Sequence, residues 1–427
     1  MKESPSAWKR TTISQNMKMT PLALLTIAIM GACFSSAAQT IPPPAEGRFY
    51  HGCYPGGITG EEDDITVRDV QNYEKVVGQN VAWVYFSNNW YADRRFPIET
   101  ATWIRKHGAI PYIRLMLRSR NHAVGKPERE FTLQSIIDGK FDNDLKAWGR
   151  AAGAFGSPLI VEYGTEVNGE WFGWNGKFHG GNKKDGFGDP GKADGPERFV
   201  AAYRHIADTV RASGAANITW VFHVDASQSP EAAWNRFENY YPGPDYAQWI
   251  GVSCYGPQKP TDEADEIISF RDKFDPVYAR VVKLAPDKPV IIPEFGCTSG
   301  NPHFQAEDWA QAALNDLLSG RWPNVRGFSW WNERWENDDT PAHNTTMRVQ
   351  DNPALGRVFM NSLNQHAGDL VKIGGKSPQS RVGSPPASDA ENRLRFGRRF
   401  QTMGTRASPL DWQLSQMRAT EHRPGNR

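Results

Sequence analysis

The chain has 427 residues, of which 39% are hydrophobic and 23% charged, a composition sufficient for a globular fold with a substantial core. Its 49 basic and 48 acidic residues leave a formal net charge of +1, so charge gives no reason to expect a nucleic acid partner. Tryptophan is abundant, with 16 residues. Tryptophan is common in cores, but it also forms flat surfaces on which sugar rings stack.

The N-terminus carries an export pattern. Lys18 precedes an apolar run, Leu22–Met30, which is followed by the small residues Ser36-Ala37-Ala38. This order predicts a secretory signal peptide over residues 1–38, with cleavage after Ala38 and a secreted or periplasmic product. An imperfect lipobox ending at Cys33 gives a second processing route, in which a lipid anchors the protein. The run is too short to serve as a transmembrane helix.

Residues 39–365 alternate apolar strand-like runs with amphipathic helical stretches. The predicted strands are 49–54, 81–87, 110–115, 159–164, 218–223, 249–255, 290–294 and 325–331, and helices are predicted at 65–77, 97–106, 143–154, 196–212, 270–284 and 307–318. Eight strands alternating with helices predict an α/β fold, a single (β/α)8 TIM barrel domain. An open doubly wound sheet is the alternative, but no Gly-rich turn of G-x-G-x-x-G form follows an early predicted strand.

Two segments interrupt this alternation. The longest insertion, 171–195, follows the fourth strand, on the face where barrel active sites lie. Residues 366–427 are rich in Gly, Pro, Ser and Arg with little apolar periodicity, so a basic, mostly disordered tail is predicted.

Two glutamates stand where predicted strands end. Glu166 follows the fourth strand and precedes a stretch of amides and tryptophans, and Glu294 ends the seventh strand. Cleavage of a glycosidic bond uses two carboxyl groups, and in retaining enzymes they lie about 5–5.5 Å apart. Strand ends of a barrel bring such groups to one mouth. The pair therefore predicts a glycosidase site, whereas either glutamate alone would be read as a solvated rim residue.

The sequence resembles glycoside hydrolase family 26, within the clan of barrel glycosidases that carry catalytic glutamates after strands four and seven. The segments that carry the resemblance are 164–172, 241–252, 293–296 and 330–333. The resemblance implies that Glu166 is the acid/base and Glu294 the nucleophile. It also implies that Tyr255 hydrogen bonds the nucleophile, and that Trp331 or Trp330 forms the platform under the sugar.

The same resemblance implies a retaining endo-β-glycosidase acting on a polysaccharide, with β-1,4-mannan first and β-1,3-1,4-glucan or β-1,3-xylan as alternatives. Two departures concern the mannan assignment. Thr165 stands where the mannanases of the family place His before the acid/base, and the third strand, 112–116, lacks their Trp-His pair.

Further substrate-binding candidates follow from position near the predicted strand ends. Trp171 and Trp174 are candidate sugar platforms or loop core, and Arg114 could orient the nucleophile or form a structural ion pair. The remaining candidates are Asn168, His223, Trp90 and Glu333. Glu162 and Glu170 lie close to Glu166, and we expect an outer or layer position for Glu162 and a rim position for Glu170.

No cofactor or metal is predicted. Cys53, Cys254 and Cys297 show no zinc-ligand spacing and are expected to be small buried residues. Calcium in the 185–194 loop has no support from EF-hand spacing. We expect a monomer whose partner is its polysaccharide substrate. A barrel that binds carbohydrate without cleaving it is the rival from another class. A metal-dependent hydrolase is less favoured, because only His223 is placed for a His/Asp cluster.

Overall fold

A computed structural model describes residues 40–56, 64–120, 125–264 and 267–373. Its centre is a closed barrel of eight parallel strands that pair in chain order. The strands are β1 (Tyr50–Tyr54), β2 (Trp83–Asn89), β3 (Ile110–Met116), β4 (Leu159–Tyr163), β5 (Ile218–Asp225), β6 (Trp249–Tyr255), β7 (Val290–Gly296) and β8 (Val325–Trp331). All eight predicted strands are present, so the predicted TIM barrel is confirmed.

Closure of the barrel comes from the pairing of β1 with β8, in which Tyr54 lies opposite Trp331. Arg114 of β3 lies opposite Glu162 of β4. Every residue of β2–β7 is buried, as expected for strands covered on one side by helices and on the other by the barrel interior. A short antiparallel pair, β9 (Arg334–Trp335) and β10 (Thr345–Thr346), follows β8.

Helices surround the barrel on the outside. They are α1 (Val67–Val77), α2 (Ile98–His107), α3 (Leu133–Ile137), α4 (Asp142–Phe155), α5 (Asp194–Ala212), α6 (Phe270–Leu284), α7 (Ala306–Leu318) and α8 (Pro353–Gln365). The six predicted helices are among them. The sequence interpretation did not include α3, which is short, or α8, which begins at Asn352 as N-cap followed by Pro353, a common start signal.

The lower part of the barrel interior is filled by aromatic side chains. Trp83 packs edge-on against Tyr50 and Tyr112, and its ring occupies the space where a side chain at Gly52 or Gly327 would lie. These glycines are needed because any Cβ there would collide with the indole. Aromatic rings therefore fill this part of the barrel interior.

The ordered fold continues past the predicted domain boundary at residue 365. Leu370 forms a parallel bridge with Phe49, at the start of β1, and the backbone N–H of Val371 donates to the carbonyl of Phe49 at 2.8 Å. The predicted signal peptide and most of the predicted tail lie outside the described residues. None of the helices within the described ranges is long and apolar enough to cross a membrane. The three cysteines there are buried and unpaired.

Candidate active site

Glu294 lies near the end of β7 and is buried, with 3% of its surface exposed. The hydroxyl of Tyr255 donates to its Oε2 at 2.8 Å, and the hydroxyl of Tyr85 to its Oε1 at 2.9 Å. The Nε of Arg114 lies 3.7 Å from Oε1. Burial is the main reason why the pKa of Glu294 is raised to about 7. The charge of Arg114 lowers this pKa, and the charge of Glu166 raises it further.

Glu166 follows β4 on a loop with unusual backbone geometry. Its φ is +50°, in the left-handed region that residues other than glycine seldom adopt and that is often found at functional sites. The indole N–H of Trp171 donates to its Oε2 at 2.6 Å. Burial, followed by the charge of Asp225, raises the pKa of Glu166 to about 7. The side chain therefore holds a proton at neutral pH more readily than a solvated glutamate does.

A set of amide and indole contacts fixes the loop that carries Glu166. The side-chain amide of Asn168 donates to the carbonyls of Asp225 and Ser227 and accepts from the N–H of Asp225 at 2.8 Å. The indole N–H of Trp174 donates to the carbonyl of Thr165 at 2.9 Å. Asn168 and Trp174 thus support the loop from behind, and a contact of either side chain with sugar stays a prediction.

The two candidate platform tryptophans point to opposite sides of β8, as neighbouring residues of a strand do. Trp331 stacks on Tyr54 with ring centroids 3.8 Å apart, and the guanidinium carbon of Arg114 lies 5.4 Å from its ring centre. Trp330 packs against Phe359 of α8 and donates its N–H to the carbonyl of Met347. Trp331 is therefore the one beside Glu294 and its partners, whereas Trp330 belongs to the layer between strands and helices.

Glu162 was expected at an outer or layer position, but the structure places it inside the barrel, fully buried. Four donors surround its carboxylate: the hydroxyls of Tyr85 and Thr165 reach Oε1, both at 2.5 Å, and the hydroxyl of Tyr112 and Nδ1 of His223 reach Oε2, at 2.6 and 3.0 Å. An ionised carboxylate has about four acceptor positions, so Glu162 is saturated.

The surroundings of Glu162 keep it charged. Burial alone would raise its pKa, but the charges and hydrogen bonds of His223, together with the charge of Arg114, lower the pKa to about 2. Burial would lower the pKa of His223, and Glu162 reverses that effect and raises it. Together the two residues form a buried ion pair, which places His223 beneath the site rather than at its rim.

His223 extends the hydrogen-bond network toward Glu166. Its Nε2 lies 2.8 Å from the Oγ of Ser253, and Ser253 limits the rise in the pKa of Glu166 that burial causes. Tyr85, on the other side, contacts both Glu162 and Glu294. Within the barrel interior a chain of hydrogen bonds therefore runs from Glu294 through Tyr85, Glu162 and His223 to Ser253.

Ligand atoms of Glu162, His223 and Glu294 lie within 4.8 Å of one another, close enough to hold a metal ion. Both ring nitrogens of His223 already face protein partners, Glu162 and the Oγ of Ser253. An ion would have to displace the proton on Nδ1 and break this ion pair. The cluster is accounted for by its own hydrogen bonds, and we assign no metal to it.

The other two candidates lie near the mouth without contact to either glutamate in the hydrogen bonds described. Trp90 is buried, with its ring edge against Phe131 at 5.8 Å between centroids. Glu333 is buried against Gly56, where a side chain would collide with it. A role for either residue in binding substrate stays a prediction.

Residues 144–311 match the family model described as Glycosyl hydrolase family 26. The matched segment contains both Glu166 and Glu294 and runs from α4 to α7. This central part of the chain is therefore similar to glycosyl hydrolase family 26.

The curated relatives of this chain are distant. It is 24% identical over 292 residues to Endoglucanase H of Acetivibrio thermocellus, covering 68% of this chain and 29% of that protein. It is 27% identical over 127 residues to a β-1,3-xylanase of a Vibrio species, covering 30% of this chain and 23% of that protein. The chain thus spans less than a third of the length of either relative.

Among solved structures, the catalytic domain of a family 26 endo-β-1,4-mannanase from Bacillus sp. JAMB-750 superposes with a TM-score of 0.53 at 16% identity. The alignment covers 79% of this chain and 95% of that one. At this identity the likeness concerns the fold, which agrees with the closed barrel described above.

Proposed function

We propose that this chain is a retaining endo-β-glycosidase that cleaves a β-linked polysaccharide. The observation that carries the proposal is the placement of two buried carboxyl groups, Glu166 and Glu294, at the ends of β4 and β7, with Trp331 beside the partners of Glu294. The match of residues 144–311 to the model of glycosyl hydrolase family 26 supports the same reaction class.

The proposed reaction has two steps. The carboxylate of Glu294 attacks the anomeric carbon while the bond from that carbon to the leaving oxygen breaks, and Glu166 donates its proton to that oxygen. A water molecule then attacks the same carbon, Glu166 removes its proton, and Glu294 leaves as a carboxylate. The anomeric configuration is inverted twice and therefore retained.

The contacts of the two glutamates suit these roles. Glu294 lies within hydrogen-bond distance of the hydroxyls of Tyr255 and Tyr85 and near Arg114, and each of these groups can stabilise a charged carboxylate. Glu166 receives one indole N–H, and burial together with the charge of Asp225 raises its pKa, which disfavours a second charge. We therefore expect the site to hold one proton, on Glu166, while Glu294 carries the negative charge.

For the substrate we put β-1,4-mannan first, as the family resemblance implies. The second candidates, β-glucan and β-1,3-xylan, are favoured by a specific observation: the two curated relatives are an endoglucanase and a β-1,3-xylanase by name. Thr165 also bears on the choice of substrate, because it stands before the proposed acid/base, where the mannanases of the family place His. Its hydroxyl donates to Glu162.

A panel of soluble β-mannan, mixed-linkage β-glucan and β-1,3-xylan tests the proposal, with reducing-sugar release and product size as readouts and Glu294→Gln as the matched control. Release from one polymer by the wild type alone supports the function and names the substrate. Binding of a polymer without release would instead support a non-catalytic carbohydrate-binding barrel.

We also propose that the protein acts outside the cytoplasm, as a monomer. The proposal of export is supported by the order of basic, apolar and small residues within residues 1–38. Mass spectrometry of protein from its native host should find a mature start near Gln39. A lipid on Cys33 would instead indicate a membrane-anchored enzyme.

A further inference from the structure

The hydroxyl of Tyr85 has two carboxyl neighbours but a single proton. It lies 2.5 Å from Oε1 of Glu162 and 2.9 Å from Oε1 of Glu294. Burial and the two carboxylates hold the pKa of Tyr85 well above its usual value, so the hydroxyl stays protonated and can donate to only one of the two at a time. The other carboxyl group must then either do without this donor or donate its own proton to the tyrosine oxygen.

The two carboxyl groups differ in how much they need this donor. Glu162 keeps Thr165, Tyr112 and His223 when Tyr85 turns away. Glu294 keeps only Tyr255 as a hydrogen-bonded hydroxyl among its described contacts, with Arg114 nearby. Moving the donor to a charged Glu294 therefore leaves Glu162 well bonded.

We propose that Tyr85 is a shared donor that moves between the two carboxyl groups during catalysis, and that Glu162 is the positioning residue that receives it. The inference rests on the proposed role of Glu294 as nucleophile. Tyr85 donates to Glu294 while that group is a carboxylate. When Glu294 becomes esterified by the sugar and loses its charge, Tyr85 donates to Glu162, which stays ionised. When the ester breaks, Tyr85 returns.

Other charged or titratable groups also face Glu294, and the test must separate their effects from that of Tyr85. They are Arg114 from β3, Glu162 and Glu166 from β4 and its loop, His223 from β5 and Tyr255 from β6. Removing the hydroxyl of Tyr85 leaves all of them in place. Tyr112→Phe is the matched control, because it removes a hydroxyl from the same carboxylate, Glu162, without touching Glu294.

The experiment measures the pKa of Glu294 by NMR of ¹³C-labelled glutamate carboxyl groups, assigned with Glu294→Gln. In Tyr85→Phe the charged form of Glu294 loses a donor, so its pKa should rise by on the order of one pH unit, and Tyr112→Phe should move it much less. A fall in Tyr85→Phe would overturn the proposal, because it would mean that Glu294 donates permanently to Tyr85. Equal shifts in both variants would do the same.

A coupling measurement sharpens the test. If Glu162 competes for Tyr85, then the shift caused by Tyr85→Phe should be larger in a Glu162→Gln background, where the neutral amide is a weaker acceptor. Equal shifts in the two backgrounds would contradict the competition. If Glu162→Gln does not fold, the Tyr85 and Tyr112 variants still decide the main point.

Turnover gives a separate readout. Because Glu294 leaves as a carboxylate in the second step, Tyr85→Phe should slow deglycosylation more than glycosylation, and the glycosyl-enzyme should accumulate as a larger burst with an activated aryl β-glycoside. A merely structural role would slow both steps alike. Absence of turnover in the wild type would refute the proposed function, while the NMR titration would still test whether the donor is shared.

Discussion

Two buried carboxyl groups inside the same barrel show opposite acid–base behaviour. Glu162 and Glu294 are both almost completely removed from solvent, yet the pKa of Glu162 is lowered to about 2 and that of Glu294 is raised to about 7. Burial raises both. The difference lies in the donors. Apart from the Tyr85 hydroxyl near both groups, Glu162 has Thr165, Tyr112 and the charged His223, whereas Glu294 has Tyr255. Arg114 lies near both carboxylates, at 4.0 and 3.7 Å.

The comparison shows how the fold separates a structural charge from a reactive one. A saturated carboxylate is held in one protonation state and cannot easily change charge. An incompletely satisfied carboxylate at the mouth can gain and lose charge as a bond to carbon forms and breaks. Glu162, the saturated carboxylate, lies beneath the site, and Glu294, the reactive one, lies at the site.

The largest expected effect is the loss of catalysis when Glu294, the reactive carboxylate, is replaced. Glu294→Gln should lower kcat by on the order of 10⁴-fold or more with the best substrate, because no glycosyl-enzyme can form. The assay is sugar release at the pH optimum, with thermal unfolding to verify the fold. Activity within tenfold of the wild type would remove Glu294 from the mechanism.

The next effect is a loss of stability when Glu162, the structural charge, is replaced. Glu162→Gln should lower the free energy of unfolding by about 3 kcal/mol at pH 7, because it leaves His223 and the donors without their charged partner. Since the folded pKa of Glu162 is depressed, its contribution is present above the unfolded pKa and disappears as the pH falls toward about 2. In urea unfolding, the difference in the free energy of unfolding between the wild type and Glu162→Gln should be smaller at pH 4 than at pH 7.

The control for that measurement is Glu170→Gln. Glu170 pairs with Lys177, whose side chain is half exposed, so its replacement should change stability by less than about 1 kcal/mol. Equal losses in the two variants would mean that the surroundings of Glu162 have no special energetic weight.

A smaller effect of opposite sign is expected for Glu294. Its folded pKa is raised above the unfolded value, so its contribution to stability is present below the unfolded pKa and disappears as the pH rises through about 7. Glu294→Gln should therefore gain stability relative to the wild type between pH 5 and pH 8, by on the order of 1 kcal/mol. Thermal unfolding at both pH values checks this, and an unchanged difference would contradict the raised pKa.

The smallest effect concerns the acid/base. Activity should rise as Glu294 ionises and fall as Glu166 loses its proton, which gives a bell-shaped pH profile centred near neutrality. Trp171→Phe removes the indole donor to Glu166, so the alkaline limb should move upward by roughly half a pH unit. Trp174→Phe is the control, because that indole donates to a backbone carbonyl and should not move the limb.

The barrel could be predicted because its strands are short apolar runs of the correct number and spacing. The burial of Glu166 and Glu294 near strand ends could be predicted because each stands at the end of such a run. Glu162 was misplaced because a charge within the run Leu159–Tyr163 was assigned to the outer side. The signal that could have placed it is Arg114, an opposite charge within the buried run of the neighbouring strand. Two such charges in adjacent buried strands indicate an ion pair inside the barrel.

Other features depend on contacts that sequence spacing does not encode. Trp330 and Trp331 are equivalent by sequence, and only the register of β8 decides which one lies beside Arg114. The sharing of Tyr85 between two carboxyl groups requires side chains from β2, β4 and β7 to meet at one point. Such a meeting follows from the closure of the barrel rather than from any local motif.

The assignment of Glu166 as acid/base and Glu294 as nucleophile is tested most directly by chemical rescue. Glu166→Ala should still form the glycosyl-enzyme from an activated β-glycoside, because a good leaving group needs no proton. Added azide should then restore turnover and give the β-glycosyl azide, identified by NMR of the anomeric proton. An α-glycosyl azide from this variant, or activity that does not decrease when Glu166 is removed, would contradict the assignment.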